Sequence, residues 1–207
     1  MSKNRIKMIN LAALFAAIIA VCAQLSFTVG PVPFTLQVFA ICLTGLLLGS
    51  RWGSVSVLVY LILGAIGVPV FAGFQSGLQT IFGKTGGYLL AFLPAVFVIG
   101  LIVEKGRIAV WKAFLANLLG LVIIYALGTI QLKFMLNLPW SKAIAFGIIP
   151  FLIPDVIKIA IASSLGVILL NRLASAGFLP ERNLQKKPSG LAFPDGSDQT
   201  STVASKL

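Results

Sequence analysis

Two ionisable residues, Asp155 and Lys158, lie three positions apart in the apolar stretch 153–160. A spacing of three places both side chains on one face of a helix. Because a charge inside a bilayer costs at least about 2.5 kcal/mol, ionisable residues in membrane helices usually face a cavity or a partner. If this stretch crosses a membrane, the pair indicates a ligand-binding site. The alternative is a self-neutralising ion pair that only stabilises packing.

A second group of polar and aromatic residues surrounds the glycine-rich segment 70–87. Gln75 and Ser76 offer hydrogen-bond donors and acceptors, while Phe71 and Tyr88 offer apolar walls. Glycine permits backbone conformations that other residues avoid, and a long loop between helices is usually functional. We expect this segment to fold over a ligand. A flexible connector that binds nothing is the alternative.

The composition leaves few other groups for catalysis or metal binding, with five acidic residues, no histidine and two cysteines. A lone buried carboxylate lacks the second group that acid–base or nucleophilic catalysis generally needs, so an intramembrane enzyme built on Asp155 is the weaker alternative. Residues 83–85 read Gly-Lys-Thr, but a phosphate-binding loop requires glycine where Leu78 stands. We therefore expect no catalytic residues, no metal ligands, no cofactor and no nucleotide site.

The elements that position these groups follow from the overall composition. Of 207 residues, 58% are hydrophobic and 10% are charged, and the mean hydropathy is +1.03. Soluble domains carry about 25% charged residues. A membrane crossing needs about 20 residues of helix, so the chain has room for about six crossings. The fold class is therefore an all-α polytopic membrane protein with six transmembrane helices.

The predicted helices cover six apolar segments that are separated by prolines, glycines or charges. They run over residues 8–27, 35–48, 54–68, 88–103, 109–129 and, starting between two prolines, 153–172. A short turn over 29–34 and an amphipathic connector over 141–149 complete the membrane part. Residues 1–173 are expected to form this domain, and 174–207 a polar cytoplasmic tail that is too poor in apolar residues to become ordered.

The distribution of positive charge predicts the orientation. Twelve of the sixteen Lys and Arg residues flank one side of the predicted helices, three flank the other, and one lies inside the last helix. Lys and Arg are enriched in cytoplasmic loops, so both termini are predicted to be cytoplasmic and segment 70–87 external. The net charge of +11 is divided among several loops, which argues against nucleic-acid binding.

The first predicted helix carries small residues at regular spacing. Ala12, Ala13, Ala16, Ala17 and Ala20 form overlapping small-xxx-small patterns, which let another helix approach closely. Internal packing and contact with a partner protein are both consistent with these patterns.

Five stretches, in this order along the chain, resemble the BioY family of biotin-specific S components of energy-coupling factor (ECF) transporters. They are GPVPFTLQ at 30–37, GLLLG at 45–49, GAIGVPVF at 64–71, GKTGGY at 83–88 and DVIK at 155–158. Lys84 stands where the family's loop usually has proline.

The resemblance implies a six-helix component in the cell membrane that mediates biotin uptake together with a transmembrane coupling protein and cytoplasmic ATPases. It implies a ligand near the outer face, beneath the loop between helices 3 and 4, in contact with the charged pair at the start of helix 6. From the chemistry of biotin we further expect one member of the pair at the ureido ring and the other at the carboxylate. The expected ligand-binding residues are Asp155, Lys158, Gln75, Tyr88, Phe71, Gln37 and Ser76, and the expected docking residues are Ala12, Ala16 and Ala20.

Two other transport functions stay open at this point. The chain could be an S component for a different vitamin, or a secondary carrier in which Asp155 and Lys158 act as a proton-linked switch. The sequence is equally compatible with a single copy and with a homo-oligomer.

Overall fold

A computed structural model describes residues 3–105 and 108–176. The helices and strands, in chain order, are α1 (Lys3–Gln24), β1 (Ser26–Val29), β2 (Val32–Thr35), α2 (Gln37–Ala65), α3 (Leu78–Ile81), α4 (Gly86–Glu104), α5 (Val110–Leu136), α6 (Trp140–Gly147) and α7 (Ile149–Ser175). The predicted tail 174–207 falls outside the described residues from position 177 onward. The helix before it continues to Ser175, slightly beyond the predicted boundary.

Within the described residues, five helical segments are long and apolar enough to cross a membrane, and α2 is folded back on itself. Gly49 interrupts α2 with φ 75° and ψ −170°, a conformation that glycine tolerates best. The side-chain amide of Gln37 consequently lies 2.7 Å from the hydroxyl of Tyr60, 23 positions along the chain. A straight helix would separate these residues by about 35 Å. The two arms of α2, residues 37–48 and 50–65, therefore supply the predicted helices 2 and 3.

Glu104 secures the fold-back of α2. Its carboxylate, at the end of α4, accepts a hydrogen bond from the backbone N–H of Ser50 at 2.9 Å and another from the Ser50 hydroxyl at 2.8 Å. Backbone N–H groups at the start of a helix lack intrahelical partners, and a carboxylate there satisfies them and opposes the helix dipole. This contact joins α4 to the start of the second arm.

The segment after α1 differs from the prediction. The helix ends at Gln24 instead of near residue 27, and β1 and β2 then pair as an antiparallel hairpin. Gly30 and Pro31 form the turn, in which glycine occupies the first central position with φ 81°. The Val and Thr residues in the two strands favour extended backbone. The sequence prediction was wrong here because it took the end of an apolar run as the end of the helix.

The small-residue face of α1 is used inside the bundle. Ala12 and Ala16 are 2% and 3% exposed, whereas Ala20 is half-buried. Internal packing already covers the methyl groups of Ala12 and Ala16 in the described fold, so these two residues offer a partner little surface, and docking on α1 stays a prediction. Ala13 and Ala17 of the same helix are exposed instead.

Candidate functional site

A cavity opens at the end of the bundle that the charge distribution predicts to be external. The β-hairpin, segment 70–87 and the start of α7 form its walls together with α4 and α5. Segment 70–87 and the turn over 29–34 therefore contribute to one site, whereas the connector over 141–149 does not line it. The cavity measures about 170 Å³, on a scale where a single buried water needs about 10–15 Å³.

The charged pair lies in the floor of this cavity. Lys158 Nζ donates to Asp155 Oδ1 at 2.8 Å and to the backbone carbonyl of Thr35 in β2 at 2.7 Å. The Tyr125 hydroxyl, from α5, donates to Asp155 Oδ2 at 2.8 Å. The ammonium also lies 3.7 Å from the centre of the Phe34 ring. The pair thus links α5, α7 and the hairpin.

These contacts leave specific hydrogen-bonding capacity. An ammonium has three N–H donors, and the described protein engages two of those of Lys158. Each oxygen of Asp155 accepts one hydrogen bond from the protein and can accept another. The side chains of Lys158 and Asp155 are only 10% and 5% exposed. A ligand in the cavity would therefore meet a donor and an acceptor side by side, away from bulk water.

Gln37 adds an amide to the same cavity at the start of α2. It is 3% exposed, and its amide nitrogen donates to the Tyr60 hydroxyl at 2.7 Å. The Tyr60 ring in turn packs edge-on against Phe71, with ring centroids 5.6 Å apart. Phe71 is 1% exposed, so this ring anchors segment 70–87 in the bundle.

The mouth of the cavity has a different character. Lys84 and Gln75 line it and are exposed. Tyr88, in the first turn of α4, is buried, and its hydroxyl donates to the Gly147 carbonyl at the end of α6 at 3.0 Å. The cavity therefore has a polar floor with neutralised charge, aromatic walls and a second cation at its rim.

Six of the seven predicted ligand-binding residues line the cavity: Asp155, Lys158, Gln75, Tyr88, Phe71 and Gln37. Ser76 does not line it, and its backbone carbonyl accepts a hydrogen bond from the Thr80 hydroxyl at 2.9 Å. Whether the six contact a ligand stays a prediction.

Sequence reasoning missed Tyr125, Tyr60 and Lys84. The two tyrosines could have been identified from the sequence, because a phenol inside an apolar helix needs a hydrogen-bond partner. Lys84 was noted only as a departure from the family's loop. The carbonyl of Thr35 had no signal at all, because a backbone acceptor is independent of residue type.

Comparison with known proteins gives one consistent result. The BioY family model matches residues 1–175. A probable biotin transporter BioY from Pyrococcus horikoshii is 45% identical over 167 residues, which cover 81% of this chain and 96% of that protein. The biotin transporter BioY of Thermotoga maritima is 46% identical over 153 residues, which cover 73% of this chain and 89% of that protein.

A solved structure has the same architecture. The crystal structure of the S component for biotin from an ECF-type ABC transporter superposes with a TM-score of 0.77 at 30% identity. The match covers 82% of this chain and 94% of that one. The similarity thus extends over nearly the whole length of the solved protein.

Proposed function

Because the chain belongs to the BioY family, we propose that it is the biotin-binding S component of an ECF transporter in the cell membrane. The single observation that best supports this function is the network of Asp155, Lys158 and Tyr125 in the cavity floor. It offers an anionic acceptor and a cationic donor next to each other. A cyclic urea presents N–H donors next to a carbonyl acceptor, which is the complementary pattern.

The geometry changes the expected roles of the charged pair. Lys158 Nζ and Asp155 Oδ1 are 2.8 Å apart, so both would meet the same end of an extended biotin. In place of the expectation that one of these residues contacts the ureido ring and the other the carboxylate, we propose that both contact the ureido ring. Asp155 would accept from a ureido N–H, and the third N–H of Lys158 would donate to the ureido carbonyl.

The carboxylate of biotin then requires a different cation. The charge of Lys158 is already balanced by Asp155, whereas Lys84 is exposed at the rim of the cavity. A biotin with its ring in the floor would direct its valeryl chain past the aromatic walls towards this rim. We assign the carboxylate to Lys84. An attraction at an exposed position is modest, of order 1 kcal/mol, and is weakened by salt.

Isothermal titration of the purified, ligand-free protein tests this function. We expect tight binding of biotin, weaker binding of biotin amide, which lacks the anionic charge, and no binding of thiamine. In the Lys84→Met variant, biotin should bind about fivefold to tenfold more weakly, and the amide should bind as it does to the parent.

Lys142→Met is the matched control, because Lys142 lies in α6 and does not line the cavity. It should bind both ligands like the parent. Tight thiamine binding without biotin binding would show that the chain serves another vitamin. If Lys84→Met weakens the binding of biotin and of its amide equally, Lys84 does not bind the carboxylate.

We further propose that the exposed side of α1, centred on Ala13 and Ala17, docks the ECF coupling protein that links binding to ATP hydrolysis. Two observations support this position. Both alanines are exposed, and their spacing of four gives a flat strip that another helix can approach closely. This moves the docking face one position from the residues that the sequence indicated.

Replacing Ala17 with tryptophan should abolish ATP-dependent biotin uptake by the assembled transporter and leave biotin binding by the isolated protein unchanged. Ala16→Trp should impair both, because Ala16 is buried and overpacking a core disturbs the fold. Leu14→Trp is the control, since Leu14 is 54% exposed and already bulky. Uptake that continues without ATP and is unaffected by Ala17→Trp would support a proton-coupled secondary carrier instead.

A further inference from the structure

One side chain from α1 reaches the turn that covers the cavity. Gln24 Nε2 donates to the carbonyl of Phe71 at 3.1 Å and, at the longer distance of 3.4 Å, to that of Pro69. Its amide oxygen accepts from the backbone N–H of Phe74 at 2.9 Å. The amide of Gln24 therefore uses both its donor and its acceptor on segment 69–75. Gln24 itself does not line the cavity.

The turn that Gln24 holds has little support of its own. Phe74 has φ 58°, a left-handed conformation that is uncommon for a bulky residue. Its side chain is 71% exposed, so packing adds little to hold this conformation. Within the turn, the backbone N–H of Phe71 donates to the carbonyl of Gln75 at 3.0 Å. The bond from Phe74 N–H to Gln24 directly stabilises the left-handed residue.

The two residues on either side of this turn face the ligand site. Phe71 and Gln75 both line the cavity, and the carbonyl of Phe71 is one of the atoms that Gln24 binds. Any ligand beneath the turn must displace these residues to leave in this direction. The hydrogen bonds of Gln24 thus oppose the opening movement without contact with the ligand.

A second glutamine holds the other end of the same segment. Gln131 of α5 donates to the carbonyl of Ile81 at 2.9 Å and to that of Gly83 at 2.7 Å. This end precedes α4 and does not include the left-handed turn. Gln131 is therefore a comparison within the same protein, because its side-chain amide also binds backbone carbonyls of segment 70–87 but at the other end of the segment.

We propose that Gln24 is a positioning residue that latches segment 69–75 over the cavity and thereby sets the rate at which bound biotin dissociates. The identity of the ligand in this statement rests on the proposed function; the latch itself rests on the contacts of Gln24. The latch lowers the dissociation rate and leaves the cavity floor unchanged.

Two variants of Gln24 test the latch in the full-length protein. Gln24→Leu removes all of the hydrogen bonds, and Gln24→Glu keeps the acceptor for Phe74 N–H but removes the donors and places a negative charge next to two carbonyls. We expect Gln24→Leu to raise the dissociation rate of tritiated biotin about tenfold, equivalent to about 1.4 kcal/mol. Gln24→Glu should have an intermediate or similar effect. The association rate should change less than twofold for both.

Amide hydrogen exchange of the ligand-free protein provides a readout that does not depend on biotin. In Gln24→Leu, exchange should accelerate in a peptide that contains residues 71–75, including the amide of Phe74. Gln131→Leu should instead accelerate exchange at residues 81–86. Asn10→Leu, which also replaces a side-chain amide with leucine but at an exposed position of α1, should alter neither region nor the dissociation rate.

The outcomes separate the latch from the proposed function. An unchanged dissociation rate together with unchanged exchange at residues 71–75 in both Gln24 variants overturns the latch. If the parent does not bind biotin, the proposed function fails, and the exchange result alone decides the latch. If Gln24→Leu unfolds in a thermal melt, the isosteric Gln24→Glu variant decides it.

Discussion

Replacing Lys158 with methionine should weaken biotin binding by about 2 to 5 kcal/mol, or roughly 30-fold to several thousandfold. Methionine keeps most of the volume of the lysine stem and removes the ammonium. The variant loses the donor to the ligand and leaves the 5% exposed side chain of Asp155 with the Tyr125 hydroxyl as its one remaining hydrogen-bond donor among the described residues. It also removes the bond to Thr35 that joins α7 to the hairpin.

The measurement must separate lost binding from lost folding. An unpaired charge in the bundle should lower the thermal stability of Lys158→Met in detergent, since breaking a buried ion pair typically costs about 3 to 5 kcal/mol. The double variant Asp155→Asn, Lys158→Met contains no stranded charge and should recover most of that stability. It should still bind biotin as weakly as the single variant.

Two results would contradict this assignment. If Lys158→Met binds biotin with the affinity of the parent, the pair is not part of the binding site. Recovery of tight binding in the double variant would mean that the pair is needed only for packing, which is the alternative that the sequence left open. Titration calorimetry and thermal melts on the same preparations distinguish these results.

The fold could be predicted from the sequence because it depends on local features of the chain, which can be recognised without knowing which residues are in contact. Apolar length and breaks at glycine or proline located six helical arms, including the fold-back at Gly49. The spacing of Asp155 and Lys158, two charges inside an apolar run, identified the polar centre of the site. Such signals are strong because a bilayer makes every buried charge and every unpaired backbone group costly.

What sequence reasoning missed depends on relations between distant segments. It placed a docking face on Ala12 and Ala16, since every alanine of α1 has the same local pattern and only packing decides which side is covered. It also did not predict that Lys158 Nζ and Asp155 Oδ1 lie 2.8 Å apart, a distance that bears on which end of a ligand each can reach. The contacts of Gln24 with residues 69–74 join positions about fifty residues apart through backbone atoms, which leave no trace in residue type.

A second large effect is expected at Gly64, in the second arm of α2. The ring of Phe71 lies so close to the Gly64 backbone that a Cβ atom there would come within 2.6 Å of Phe71 Cε2 and closer still to the neighbouring ring atoms. Phe71 is 1% exposed and has Tyr60 against its ring, so the ring has little room to move. Even one added methyl group must displace the anchor of segment 70–87.

Overpacking a core typically costs about 1 to 3 kcal/mol. Because the displaced ring anchors the segment that covers the cavity, Gly64→Ala should weaken biotin binding by up to this amount. Helix propensity acts in the opposite direction, because alanine is about 1 kcal/mol more favourable than glycine inside a helix. A loss of affinity would thus come from the displaced ring and not from a weakened helix. Titration calorimetry gives the affinity, and hydrogen exchange at residues 71–75 should show a less protected segment.

Gly166→Ala in α7 is the matched control. The nearest atom to its added methyl group is Cδ1 of Leu46, at 2.6 Å, which is the end of a flexible side chain that can rotate away. This variant should bind biotin nearly as the parent does. A Gly64→Ala, Phe71→Leu double variant should bind more tightly than Gly64→Ala alone, because leucine lacks the ring atoms that collide. Parent-like binding by Gly64→Ala, or no recovery in the double variant, would show that the seating of Phe71 against α2 does not control access to the site.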